Sequence, residues 1–198
     1  MNVPAREVRA EYGERTITVY QAYSPQIAEP ALAAGAFVPP FKRGRMTWIK
    51  PSFTWMLHRS GCGTKPDQDR VLAIEITRSG FAWALENGSL SAVDRRVHAS
   101  TQAWQAEQRA SPVRVQWDPE RDERLRELPY RSIQVGLGGE AANRYVTEWI
   151  TAIRDVTPLA HAVRDWIATG CPASDRPDFP AERPYPLSLL ATARIGAS

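Results

Sequence analysis

Two cysteines, Cys62 and Cys171, in a chain of 198 residues are too few for a disulfide scaffold or a four-cysteine zinc site. The three histidines, His58, His98 and His161, share no ligand spacing with one another or with a cysteine, so no metal centre is expected. No apolar run approaches the ~20 residues that cross a bilayer. The N-terminal MNVPAREVRAEYGER carries charge where a secretion signal needs an apolar core. A glycine-rich phosphate loop and a nucleophile elbow are missing too. The glycines of RSIQVGLGGEA, at 136, 138 and 139, are wrongly spaced for a dinucleotide fingerprint. These absences leave a reducing cytoplasm as the expected location and exclude membrane, disulfide-rich and metal-dependent classes.

What is present is an ordinary globular composition, 43% hydrophobic and 24% charged, at a length that suits one packed domain. TITVYQ (16–21) alternates with period two, with Ile17, Val19 and Gln21 on one side, and reads as a strand. Ser24-Pro25 opens a helix to about Ala34, which Gly35 stops and Pro30 bends. MTWIK is a short extended piece; Ser52 then caps a helix to about Ser60, closed by Gly61. VLAIEIT (71–77) is a strand, and Ser79 caps a short helix that ends near Gly88.

A helix around 102–108 precedes strands at 113–117 and 132–137, with Asp118-Pro119 starting a turn. Ala142, Tyr145, Val146, Trp149, Ile150 and Ile153 form one apolar stripe, which predicts a helix over 140–154. A last helix runs from Thr157 to about Thr169. The mixed order predicts an α+β domain over 1–170, with antiparallel or mixed sheets flanked by helices. Residues 171–198, rich in proline, are expected to lie over it as an extended tail with no further element.

The positive charge is concentrated. Between Glu29 and Asp67 there is no acidic residue, while Lys42, Arg43, Arg45, Lys50, Arg59 and Lys65 all fall there. Without those six, the rest of the chain carries more acidic than basic residues, so the net charge of +3 belongs to this block. Trp48, Phe53 and Trp55 stand in the same block, flat side chains on which a base or a nicotinamide can stack. Cations without interleaved carboxylates predict an anion-binding surface, and guanidinium donors match phosphate oxygens in pairs.

ITVYQAYSPQIA (17–28), RMTWIKPSFTWMLHRSG (45–61), VLAIEITRSGF (71–81), PVRVQWDPERD (112–122) and RSIQVGLGGEA (131–141) resemble, in order, the family called domain of unknown function 4291. YVTEWITAIRDVT (145–157) and ERPYPL (182–187) fit it as well. Cys62 departs from it, standing where the RSGWG-type block carries a tryptophan. The resemblance implies membership and brings no assigned activity.

The order of elements is also similar to ADP-ribosyltransferase domains, in which NAD lies in a cleft between two small sheets. That resemblance implies an Arg or His on the first strand, a Ser or Tyr at the second motif and a Glu on a later strand. Here the first position falls at Tyr20 or Gln21, the second at Ser52 of KPSF, and the third near Gln134, with Glu140 six residues on. An amide therefore replaces the carboxylate, and no Arg or His stands at the first position.

The expectation is an NAD-dependent ADP-ribosyltransferase-like enzyme acting on a nucleic acid, nucleotide or protein. Its alternative is a non-catalytic nucleotide or nucleic-acid binding domain that uses residues 42–65. NAD enters as substrate; Gln134, Glu140 and Ser52 are the catalytic candidates. Tyr20, Gln21, Tyr23, Arg45, Thr47, Trp48 and Lys50 are the candidates to bind it. Each also has a bland reading: Ser52 as a helix cap, Trp48 as core, Glu140 at the positive end of a helix, Glu75 paired with an arginine on a sheet face. His58 and His161 read as surface or packing residues.

Overall fold

A computed structural model describes residues 3–198. In chain order it contains β1 (Arg9–Ala10), β2 (Thr16–Tyr23), α1 (Pro25–Ala34), β3 (Thr47–Ile49), α2 (Phe53–Ser60), β4 (Arg70–Thr77), α3 (Arg78–Glu86), β5 (Gly88–Leu90) and α4 (Thr101–Ala110). There follow β6 (Val113–Arg121), β7 (Glu127–Leu137), α5 (Gly139–Arg144), β8 (Ile150–Asp155), α6 (Thr157–Ala168), β9 (Arg183–Pro184) and α7 (Leu189–Ile195).

Two small sheets carry the domain, one of three strands in the order β2-β4-β8 and one of four in the order β3-β7-β6-β5. The three-stranded sheet is antiparallel throughout; β2 and β4 are mostly buried and β8 is its more exposed edge. Ile17 and Val19 of β2 point with Ile74 and Ile76 of β4 into the main core, while Tyr20, Val71 and Ala73 face a smaller cluster under α2 and α6. In the second sheet Val113, Val115, Trp117, Ile133, Val135 and Leu137 join the main core. Opposite residues of an antiparallel pair share a face, so Trp48, Gly136, Gln134, Gln116 and Arg114 line the other side. The sheets meet at one backbone bridge, where the Tyr20 N–H donates to the Lys50 carbonyl at 2.7 Å and the Lys50 N–H returns to Tyr20 at 3.3 Å.

The α+β class and the sheet types agree with the sequence reading, and four details do not. The 140–154 stripe is divided: Tyr145, Val146 and Trp149 are buried as expected, but α5 ends at Arg144 and a π turn spans Tyr145–Trp149. Ile150 and Ile153 belong to β8, where they pair with Ile76 and Ile74. The open edge of β4 offers ladder hydrogen bonds, and β-branched residues fit them. The tail is not merely extended either, for β9 pairs with β1 and α7 carries Ala191 and Ile195 into the core. Thr77, not Ser79, caps α3, its hydroxyl accepting from the Gly80 N–H. Asp118-Pro119 starts no turn; β6 continues to Arg121 with a bulge near Pro119.

Candidate functional site

Beyond the Tyr20–Lys50 bridge the end of β2 runs beside β3, and a cleft of about 550 Å³ opens there, floored in part by the polar face of the second sheet. Gln21 and Tyr23 reach it from β2, Thr47, Trp48 and Lys50 from β3 and its end, and Gln134 from β7. Lys42 and Arg45 enter from the preceding loop, and Trp55 and Arg59 from α2.

Gln21 organises the end of β2. Its Nε2 lies 2.9 Å from Tyr23 Oη, 2.7 Å from Thr47 Oγ1 and 2.9 Å from the Trp48 carbonyl, while its Oε1 accepts from Tyr145 Oη at 2.8 Å. Tyr23 Oη and Thr47 Oγ1 are 3.1 Å apart, so one donates to the other. Burial pushes the Tyr23 phenol up to about 12, which keeps it protonated at neutral pH. Counting protons, one of the two hydroxyls still has a hydrogen to offer, and both line the cleft. Gln134 is the complement. Its Oε1 is buried without a partner among the described residues, an acceptor that needs a donor.

Lys50 lies at the base. Its Nζ donates to Asp118 Oδ2 at 3.0 Å and sits 3.8 Å from the centre of the Trp55 ring. Asp118 Oδ1 accepts from Gln116 Nε2 at 2.7 Å. Desolvation lowers the lysine to about 8, against the pull of Asp118 in the opposite direction. Trp48 packs close against Gly136, where a Cβ would meet its ring at 2.9 Å. The glycine is required by that close approach. Trp48 is half-buried and forms part of the wall, a role between core and ligand platform.

Charge in the cleft is one-sided. Lys42, Arg45, Lys50 and Arg59 line it against a single carboxylate, Asp67. Among the described residues Lys42, Arg45 and Arg59 form no ion pair. Most arginines elsewhere do.

The structure thus brings together Gln21, Tyr23, Arg45, Thr47, Trp48, Lys50 and Gln134. It places three other candidates elsewhere. Tyr20 points away, packed on Phe53 in the smaller cluster. Ser52 is buried beside the cleft; its hydroxyl accepts from the Trp55 N–H as the α2 cap and donates to Glu120 Oε1 at 2.7 Å. Glu140 stands exposed in the first turn of α5, 3.9 Å from Arg144. Glu75 pairs with Arg154 at 3.3 Å, and His58 is exposed. Among the described residues no group of three or more His, Cys, Asp and Glu could hold a metal ion, and no helix is long and apolar enough to cross a membrane.

Sequence reasoning missed the carboxylates behind the cleft. Asp118 and Glu120, two apart on β6, hold Lys50 and Ser52, also two apart. Glu182 of the C-terminal segment accepts from the Phe53 N–H at 2.7 Å, at the first turn of α2. Burial raises it to about 8, helped by the nearby Glu120. The matched two-residue spacing was a readable signal for the first pair; nothing local announces Glu182.

No curated protein matches the chain. The model of the family described as Domain of unknown function (DUF4291) matches residues 7–185, nearly the whole length. With the cleft-forming blocks ITVYQAYSPQIA, RMTWIKPSF and RSIQVGLGGEA all inside that span, the chain belongs to the DUF4291 family.

Proposed function

We propose that the cleft between the two sheets binds NAD and that the protein is an ADP-ribosyltransferase-like enzyme. The observation that carries this reading is the convergence of Gln21, Thr47–Trp48 and Gln134, from three different strands, on one cavity with unpaired cations at its mouth. Its volume of about 550 Å³ falls within the ~300–1,000 Å³ range of small-molecule sites. Lys42, Arg45 and Arg59 suit the two phosphates of a dinucleotide. The orphan Gln134 Oε1 calls for a hydroxyl or amide donor, which a ribose or a carboxamide supplies. The remaining hydroxyl proton of the Tyr23–Thr47 pair calls for an acceptor, and Trp48 offers a flat wall.

In the reaction, the nicotinamide–ribose bond breaks, nicotinamide leaves with the bonding electron pair, and the acceptor forms its bond at the same carbon. The state between is oxocarbenium-like, and a nearby negative charge stabilises it. Gln134 positions the ribose but supplies no such charge. That one substitution of amide for carboxylate favours a second reading, a domain that holds the nucleotide without cleaving it.

Calorimetry and thermal denaturation with NAD and AMP, together with assay of released nicotinamide, test both. NAD should raise the melting temperature, and Arg45→Ala should weaken the binding without unfolding the domain. Release of nicotinamide establishes the enzyme; binding without release establishes the second reading. Neither effect in the wild type rejects the cleft as a nucleotide site.

A further inference from the structure

The cations at the mouth of the cleft outnumber what one dinucleotide needs, and they continue past its lining. Arg43 stands between Lys42 and Arg45 in the loop before β3. Across the mouth Lys65 lies beside Arg59, its Nζ donating to the Arg59 carbonyl at 2.9 Å. All five are exposed. None forms an ion pair among the described residues, whereas three arginines around the 121–130 hairpin are held by carboxylates, Arg121 by Glu127, Arg126 by Asp122 and Arg176 by Glu123. Phe41, Met46 and Trp48, on the segment that carries the first edge, line the cleft and are partly exposed, Met46 at 38%, with Asp67 the one carboxylate beside them.

Exposed, unpaired cations on both sides of the mouth, with partly exposed aromatic side chains beside them, suit a polymer with a phosphate at every residue and bases free to stack. A duplex keeps its bases stacked on one another and leaves such side chains unused. An acidic protein surface would meet the cations and leave the aromatics uncovered.

We propose that a single-stranded nucleic acid lies across this mouth and is the acceptor for the group transferred from the cleft. This rests on the NAD reading above. A nitrogen or hydroxyl oxygen of the strand forms the bond to the ribose carbon as nicotinamide departs, and the proton displaced from that atom passes to solvent.

The test measures fluorescence anisotropy of a labelled 20-nucleotide RNA and its DNA counterpart across a salt series, with NAD calorimetry on the same proteins. Single-strand binding loses about 0.7 in the salt slope for each cation removed. Arg43→Gln and Lys65→Gln, neither in the cleft lining, should each lower that slope by ~0.7 and weaken the oligonucleotide about fivefold at 0.1 M salt. NAD affinity should stay unchanged in both. Lys65 also caps α2, so Arg43→Gln carries the result if the other variant is destabilised. NAD binding without oligonucleotide binding overturns the acceptor and leaves the cleft reading intact. Oligonucleotide binding without NAD binding upholds the surface and removes the transfer. A poly-glutamate peptide that binds as tightly as the RNA, or a slope indifferent to Arg43, also overturns the proposal.

Discussion

Lys50 and Asp118 form a buried ion pair across two strands, Nζ to Oδ2 at 3.0 Å, with the lysine side chain 1% exposed and the aspartate 12%. Removing one partner of such a pair leaves an unmatched charge out of water and costs ~3–5 kcal/mol, while replacing both by apolar residues of similar size is often neutral. Asp118→Ala is therefore expected to lose stability on that scale in urea denaturation. The double variant Lys50→Met with Asp118→Leu should recover most of the loss. A single variant as stable as the wild type would show the pair to be incidental.

Gly136 lets Trp48 lie against the sheet. Its Cβ would meet the Trp48 ring and Met46 Sδ at 2.9 Å, so Gly136→Ala must tilt the indole into the cleft or push it away. Overpacking of this kind costs ~1–3 kcal/mol. We expect a lower melting temperature and, at temperatures where the variant is folded, weaker nucleotide binding by calorimetry. Unchanged affinity would remove Trp48 from the ligand wall.

Gln134→Glu tests the missing charge. If the anomeric carbon of a bound dinucleotide lies beside this side chain, a carboxylate there should raise the rate of nicotinamide release about tenfold or more. Steady-state kinetics separates this from tighter binding: kcat should rise with little change in KM. No change in kcat would place the reacting bond elsewhere in the cleft.

Two buried groups give the stability a pH profile. Glu182 titrates near 8 in the folded chain against 4.5 unfolded, facing Glu120, Glu11, Arg9 and the Phe53 N–H. Between those values the native state holds the extra proton, so stability falls as pH rises from about 4.5 to about 8. Lys50 titrates near 8 folded against 10.5 unfolded, facing Asp118, Glu120 and Glu182. Over 8 to 10.5 the unfolded chain binds more protons, and stability climbs again. Urea denaturation across pH 5–10 should show a minimum near 8. Glu182→Gln should flatten the acid side and Lys50→Met the alkaline side; a minimum that survives both would place it in other groups.

Much of this fold was legible where neighbours along the chain decide the outcome. The alternation of TITVYQ gave β2, the Ser52 cap and Gly61 bounded α2, and the acid-free run located the mouth of the cleft. What escaped was decided by distant partners. Ile150 and Ile153 satisfy a helical stripe and a strand equally well, and only the free edge of β4 selects the strand. Leu189–Ile195 has no strong signal of its own; Ile195 is drawn in by the core, and its carbonyl accepts from Trp117 Nε1. Within the site, Gln21 and Gln134 were reached through the element order shared with ADP-ribosyltransferase domains, whose motif positions fall on β2 and β7. Ser52 is turned toward Glu120 by a contact 68 residues away in sequence, which spacing alone does not reveal.

The single backbone bridge between Tyr20 and Lys50 sets the aperture of the whole molecule. Two peptide groups pin the sheets together at the inner end of the gap, and among the described residues no other backbone hydrogen bond joins β2 to β3. Any guest large enough to spread them must first break the bonds that tie the Gln21 amide and the Tyr23 hydroxyl to Thr47 and Trp48 on the cleft side of that bridge.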